Sequence, residues 1–350
     1  MRVVGGVGLL LLVAIALAPR AATAQEVPPG VAPLFQDHGP LTIRIEADFK
    51  SLRGDRGDNE DQREGRLIVI EDDGTETTLP LKIRTRGKFR LQRSTCAFPP
   101  LRLNVPKGRV QGTLLEGQDK LKLVTHCRDR DEFEQNTLEE YLIYRFYNLL
   151  TPSSFQVRLA RITYLDTEGR DDTRERWGFL IESEAAVADR LGGSLVPDDG
   201  QMVHPARMRG EDTGRVTLFQ YLVGNTDFSM YYGHNVAAVE TEGSRVIPVP
   251  YDFDFAGVVD AQYAKPAPEL NIRSVRQRVY RGVCRPDVDH AAMYALLLGH
   301  RDEITALVRS QVGLSEEGRR EILEYLDEAW TTFERPDDAR RRVEESCRPV

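Results

Sequence analysis

Residues 221–257 read YLVGNTDFSMYYGHNVAAVETEGSRVIPVPYDFDFAG, and the fold is decided by how this stretch pairs with itself. Leu218 to Val223 is an apolar helix end, and Gly224 with Asn225 stops it, as these residues do at C-caps. A loop then carries Asp227. Two β-rich runs follow, His234 to Val239 and Arg245 to Val249, joined by Thr-Glu-Gly-Ser. Gly243-Ser244 suits a type II′ turn, with Gly at its first central position. Counting outward from that turn pairs Glu242 with Arg245 and brings Asn235 opposite Asp252. A one-residue slip would turn every side chain to the other face. The expectation is therefore sharp: an amide and a carboxylate meet across two strand ends, with Asp227 just before and Asp254 just after. Packed acids repel unless a cation or protons sit between them. The layout fits a magnesium or manganese site beside a catalytic acid.

The order Asp, Asn at a strand start, hairpin, then Asp in an Asp-Phe motif resembles the core of kinase-like phosphotransferases. It is most similar to the atypical kinases of the spore-coat protein H (CotH) type, and more distantly to the HipA and phosphoinositide-kinase families. The resemblance implies ATP and a divalent cation as cofactors. Asp227 would then sit by the acceptor hydroxyl, and Asn235 and Asp252, with Asp254 as a further candidate, would hold the metal. In the CotH-type kinases an Arg-x-Arg-Gly segment opens the nucleotide-binding lobe, and a strand with a basic residue follows. Arg86-Gly87 and Leu101-Arg102-Leu103 look like those pieces. A Gly-x-Tyr-x-x-x-Glu run of that family has its counterpart in Gly178-Phe-Leu-Ile-Glu182, at shorter spacing, which makes Glu182 a nucleotide-side candidate. Lys122, in Lys120-Leu-Lys-Leu-Val124, is a further phosphate candidate. The implied partners are a nucleotide and a hydroxyl acceptor, with proteins among the candidate acceptors.

The chain begins like an exported protein. Arg2 is a charged n-region, Val7 to Leu17 an apolar h-region too short to span a bilayer, and Ala22-Thr23-Ala24 a small-residue cleavage site. Residues 1–24 are thus read as a signal peptide, and the mature product as periplasmic, cell-surface or extracellular. Its net charge moves from −8 to −10 as Arg2 and Arg20 leave. The charge is acidic and mixed, which argues against nucleic acid as the partner. No later run is apolar enough to cross a membrane. Cys96, Cys127, Cys284 and Cys347 make an even count, the usage of a disulfide-bonded exported chain. Three pairings are open. If the β-like runs Pro100 to Val105 and Lys120 to Thr125 pair antiparallel, Cys96 and Cys127 lie side by side, and Cys284 with Cys347 follows by elimination.

Beyond the Pro-rich arm at 25–40, residues 41–150 read as a β-rich lobe. Leu41, Ile43, Ile45 and Ala47 alternate with polar residues, and Arg66 to Ile70 and Leu79 to Thr85 flank an Asp-Asp-Gly-Thr turn. Asp131 to Leu150 is the clearest helix, with Leu138, Tyr141, Leu142, Phe146 and Leu149 on one stripe. Residues 151–350 read as a second lobe: a hairpin over 157–183, a short helix from Ala185, a loop from Leu195 to Arg215, the central hairpin and a helical tail with Ser315 as an N-cap. The predicted class is α+β, a β-rich N-terminal lobe and a largely helical C-terminal lobe in a protein-kinase-like pair with a cleft between. Three functions compete: exported phosphoryl transfer, an inactive binding or structural protein on the same scaffold, and a carboxylate hydrolase. No Gly-rich phosphate loop of either common pattern is present.

Overall fold

The alternation that starts at Leu41 runs through seven strands in the computed structural model, which describes residues 27–57, 61–197 and 200–349. The signal segment at 1–24 lies outside the described residues. The strands are β1 (Leu41–Ala47), β2 (Arg63–Ile70), β3 (Glu76–Thr85), β4 (Leu101–Asn104), β5 (Lys120–Val124), β6 (Val157–Asp166) and β7 (Arg174–Ile181). They close into a barrel in the order β1-β2-β3-β4-β5-β7-β6, antiparallel throughout except where β6 returns parallel to β1. Ile43, Ile45, Leu81, Ile83, Leu103, Leu121, Ile162 and Tyr164 fill the interior. Leu34 and Phe35, in the arm before β1, are buried in the same core.

This closure corrects the protein-kinase-like pair of lobes. Two of the seven barrel strands come from beyond residue 150, so the β structure is not confined to the N-terminal side. The physical reason is that β6 is apolar on both faces. Ala160, Ile162 and Tyr164 enter the barrel, while Val157 and Leu159 join Phe179 and Ile181 in a second core outside it. A strand buried on both sides needs a neighbour at each edge, and β1 supplies the free one. The mixture of helix and sheet itself holds.

Helix α1 (Phe49–Leu52) is a single turn, and α2 (Asp131–Leu150) lies across the outer face of β6 and β7. Helix α2 is buried nearly all round, its Glu139, Glu140 and Arg145 included, so it behaves as a central rod more than an amphipathic one. Next come α3 (Glu184–Arg190), β8 (Ser194–Leu195) and α4 (Gly210–Val223); the last begins inside the expected loop. Strands β9 (Val236–Thr241) and β10 (Arg245–Pro250) form a small sheet with β8. The tail is α5 (His290–Gly299), α6 (Arg301–Ser310), α7 (Glu316–Glu334) and α8 (Pro336–Ala339). Ser315 caps α7 by accepting from the Gly318 N–H at 3.0 Å. Among the described residues no helix is long and apolar enough to cross a membrane.

Both expected disulfides form. Cys96 is bonded to Cys127, beside the antiparallel β4–β5 pair, and Cys284 to Cys347, tying the tail to the segment before α5. Closing loops of these lengths restrains the unfolded chain by about 3–4 kcal/mol each.

Candidate active site

Gly224 ends α4 in the left-handed conformation, φ 70°, as its position required. Any side chain there would also run into the Tyr325 hydroxyl. The next turn is built to hold Asp227. Asn225 Oδ1 accepts from the Asp227 N–H at 3.0 Å, an Asx-type turn, and Arg281 donates to the Thr226 carbonyl. The Asp227 side chain keeps 40% of its surface exposed. Its Oδ1 meets His234 Nε2 at 2.9 Å, and its Oδ2 takes Asn235 Nδ2 at 3.1 Å. Asn235 Nδ2 also donates to the Asp227 carbonyl at 2.8 Å. The hydrogen bond with Asp227 raises the His234 pKa against the effect of burial.

The hairpin register differs from the expected one by one residue. Arg245 faces Thr241, not Glu242, because the connection takes three residues, Glu242–Ser244, with φ positive at both Gly243 and Ser244. Asn235 therefore stands opposite Tyr251, whose N–H donates to the Asn235 carbonyl at 2.9 Å. Past this pair both key residues leave the ladder, Asn235 bonding to Asp227 and Asp252 to Arg90. Asn235 has φ 52° and Asp252 φ 60°. Asn and Asp are the non-glycine residues that take left-handed backbone most readily, and here it turns both side chains out of the strand ladder. Asp252 also lies within electrostatic reach of His234.

Behind this outer group lies an inner one. Arg90, 8% exposed, donates Nη2 to Asp252 Oδ1 at 2.8 Å and Nη1 to Glu140 Oε2 at 3.1 Å, and its Nε lies 3.3 Å from Asp254 Oδ2. The Tyr263 hydroxyl donates to Asp254 Oδ2 at 3.0 Å, and the Asp252 N–H donates to the Tyr144 hydroxyl at 2.8 Å. Burial raises the Asp254 pKa, against the pull of Arg90, and raises Glu140 as well. Burial works against the Arg90 charge, yet Asp254 and Glu140 hold it firmly protonated.

No family model matches the chain, and no curated protein matches it. Among solved structures it is similar to the crystal structure of the Helicobacter pylori proinflammatory kinase CtkA, at 10% sequence identity and a TM-score of 0.33, over 75% of this chain and 86% of that one. The resemblance to CotH-type kinases thus rests on the residues quoted from the sequence.

The basic candidates line one wall. Arg84, Arg102 and Lys122 stand in register across β3, β4 and β5, on the outer face of the barrel. Lys122 pairs with Glu184 at 2.5 Å and lies 5.0 Å from the centre of the Tyr251 ring, which joins the barrel wall to the hairpin. Burial lowers the Lys122 pKa against the pull of Glu184. Arg86 is half-buried, within electrostatic reach of Lys122, Arg90 and Asp252, and its Nε has no hydrogen-bond partner among the described residues. Glu182 is used elsewhere: buried, it takes Arg190 at 2.9 Å and the Gln156 N–H at 3.0 Å. Beside Glu184 and Tyr251 opens a cavity of about 370 Å³, walled by Leu195, Val196, Val236 and Ala238.

Asn235 and Asp252 suit a magnesium ion of the kind that arrives with phosphates. Nδ2 of Asn235 is committed to Asp227, which leaves Oδ1 for a cation, and the Asp252 side chain remains 37% exposed with one oxygen on Arg90. Magnesium commonly takes one or two protein carboxylates, its other ligands being waters and phosphate oxygens. Among the described residues no group of three His, Cys, Asp or Glu could form a dedicated cage. Arg90, Glu140, Tyr144, Tyr263, Glu184 and His234 were missed in the sequence. They come from separate segments, and only His234, adjacent to Asn235, carried a local signal.

Proposed function

We propose that this chain is an exported phosphotransferase that moves the γ-phosphoryl group of ATP, with magnesium or manganese, to a hydroxyl acceptor, a protein being one candidate class. The observation that carries the reading is the contact of Asp227 with Asn235, at 2.8 and 3.1 Å, at the end of one hairpin strand, while Asp252, just past the end of the other, has the same left-handed backbone. Asp227 is the exposed carboxylate, open to an incoming hydroxyl. In the reaction the bond from the γ-phosphorus to the bridging oxygen breaks, a bond to the acceptor oxygen forms, and the acceptor proton passes to Asp227. Asn235 and the second oxygen of Asp252 would hold the cation, which would supply positive charge to the phosphates as negative charge builds on the leaving group. Arg86, Arg102 and Lys122 would bind phosphate oxygens, supplying the charge that a Gly-rich loop supplies elsewhere. The cavity beside Tyr251, with apolar Leu195, Val196 and Val236 and polar Glu184 and Gln201 on its walls, has room for a flat heterocycle.

The test is transfer itself: purified chain, magnesium or manganese, and γ-labelled ATP, with label counted in the chain and in added protein acceptors. Wild type should incorporate label and Asp227→Asn should not. A second reading, an inactive nucleotide- or cation-binding protein, is favoured by one observation, that Arg90 already neutralises part of the acid group. Binding of ATP with no transfer under any condition would select that reading.

A further inference from the structure

Arg90 belongs to no motif read in the sequence, yet it is the best-connected cation near the site. Each of its three nitrogens faces a different carboxylate: Nη2 faces Asp252, Nη1 Glu140 and Nε Asp254. Two of those acids flank Phe253, and the third comes from the middle of α2. Three carboxylates brought to one point either take up protons or collect cations. Here a side chain occupies the centre.

Nor is Arg90 on a segment free to swing away. The chain just after it is held by Arg56, which donates to the carbonyls of Leu91, Cys96 and Ala97 at 2.7 to 2.9 Å, and by the Cys96–Cys127 disulfide. Phe89, just before it, packs on Phe255 and Tyr263 with ring centres 5.3 and 5.9 Å apart. Asp254 is closed off further by the Tyr263 hydroxyl, whereas Asp252 keeps an exposed oxygen.

Resting on the phosphotransferase reading, we propose that Arg90 is a built-in replacement for a second divalent cation. Kinase sites of the common kind hold two magnesium ions. In this chain a guanidinium stands fixed among the acids, orients Asp252 and leaves room for one exchangeable ion, the one shared by Asn235, Asp252 and the nucleotide phosphates. Arg90 is a positioning residue, acting through Asp252 and not on the transferred group.

The experiment counts manganese. The full mature chain is saturated with the non-hydrolysable analogue AMP-PNP, and free Mn²⁺ is followed by electron paramagnetic resonance during titration. Wild type should bind one Mn²⁺ per chain, Arg90→Met two, and Arg90→Lys, which restores a positive charge, one. Two ions in wild type would overturn the proposal while leaving the phosphotransferase reading intact. One ion in a folded Arg90→Met chain would also overturn it. Should Arg90→Met fail to fold, Arg90→Gln, which keeps polar contacts to the acids without the charge, is counted in its place, two ions supporting the proposal and one overturning it. Neither nucleotide nor Mn²⁺ binding in wild type would overturn the reading and this proposal with it.

Discussion

Two polar groups meet near the end of the β9–β10 hairpin, each built around Asp side chains, and they differ in burial and in what holds them. The inner group, Glu140, Asp252 and Asp254, is gathered on Arg90, and its Glu140 and Asp254 are buried. The outer group is Asp227 with His234 and Asn235, partly exposed to solvent and held by a few neutral and single-charge hydrogen bonds. Burial separates their tasks. An acid cut off from water must keep a proton or a fixed partner, and so becomes part of the scaffold. An exposed acid on a shaped loop keeps its charge and can exchange partners, as catalysis requires. Asp252 belongs to both groups, one oxygen inward on Arg90 and the other side exposed, and that makes it the hinge of the comparison.

Breaking the inner group should have the largest effect on stability. Arg90→Met strands buried carboxylates, and the unfolding free energy measured in urea should fall by roughly 3–5 kcal/mol. Breaking the outer group should do the reverse. Asp227→Asn should lower phosphoryl transfer by about 10²-fold or more while shifting stability by less than about 0.5 kcal/mol. Kinetics and urea titration on one preparation check both halves.

Titration sharpens the contrast. Burial pushes Glu139, next to the inner group on α2, up to about 8, well above its unfolded value. A raised carboxyl binds its proton more tightly folded than unfolded, so stability is lost as pH rises between those two values. From pH 6 to pH 8 the loss from Glu139 should be roughly 2 kcal/mol, and Glu139→Gln should remove that slope. His234 titrates in the same sense but weakly. Its pKa is raised by Asp227, so its contribution is present at low pH and lost as pH rises through the folded value. For so exposed a pair, His234→Ala should cost no more than about 0.5 kcal/mol at pH 5 and nothing at pH 9. A larger loss would mean that the outer group is structural after all.

Local chemistry was legible in the sequence, and long-range closure was not. Helix α2 spans the residues its apolar stripe marked, Gly224 and Ser315 cap as their types require, and Cys96 found the neighbour that strand pairing gave it, Cys127, which left Cys284 for Cys347. The helix, the caps and the first disulfide depend on residues close in the chain or on one strand pair, and the second disulfide followed by elimination. The barrel depends on β1 meeting β6 in parallel, more than a hundred residues apart, and no periodicity encodes that edge. The hairpin register failed by one residue because Gly-Ser can serve a three-residue connection as well as a two-residue one. Asn235 with Asp227 was readable as a pattern of types. The inner group was not, since Arg90 and Glu140 join Asp252 only after α2 and the 86–96 segment have packed together.

Asp252 carries the central claim, that its exposed side and Asn235 bind the magnesium of a nucleotide, and the most direct measurement is thermal unfolding of wild type and Asp252→Asn with ATP, each with magnesium and with chelator. Wild type should be stabilised by ATP with magnesium and not with chelator, by about 2.7 kcal/mol when ATP stands at a hundred times its Kd, and Asp252→Asn should lose that difference. Equal stabilisation with and without magnesium, or none from ATP in either state, would contradict it.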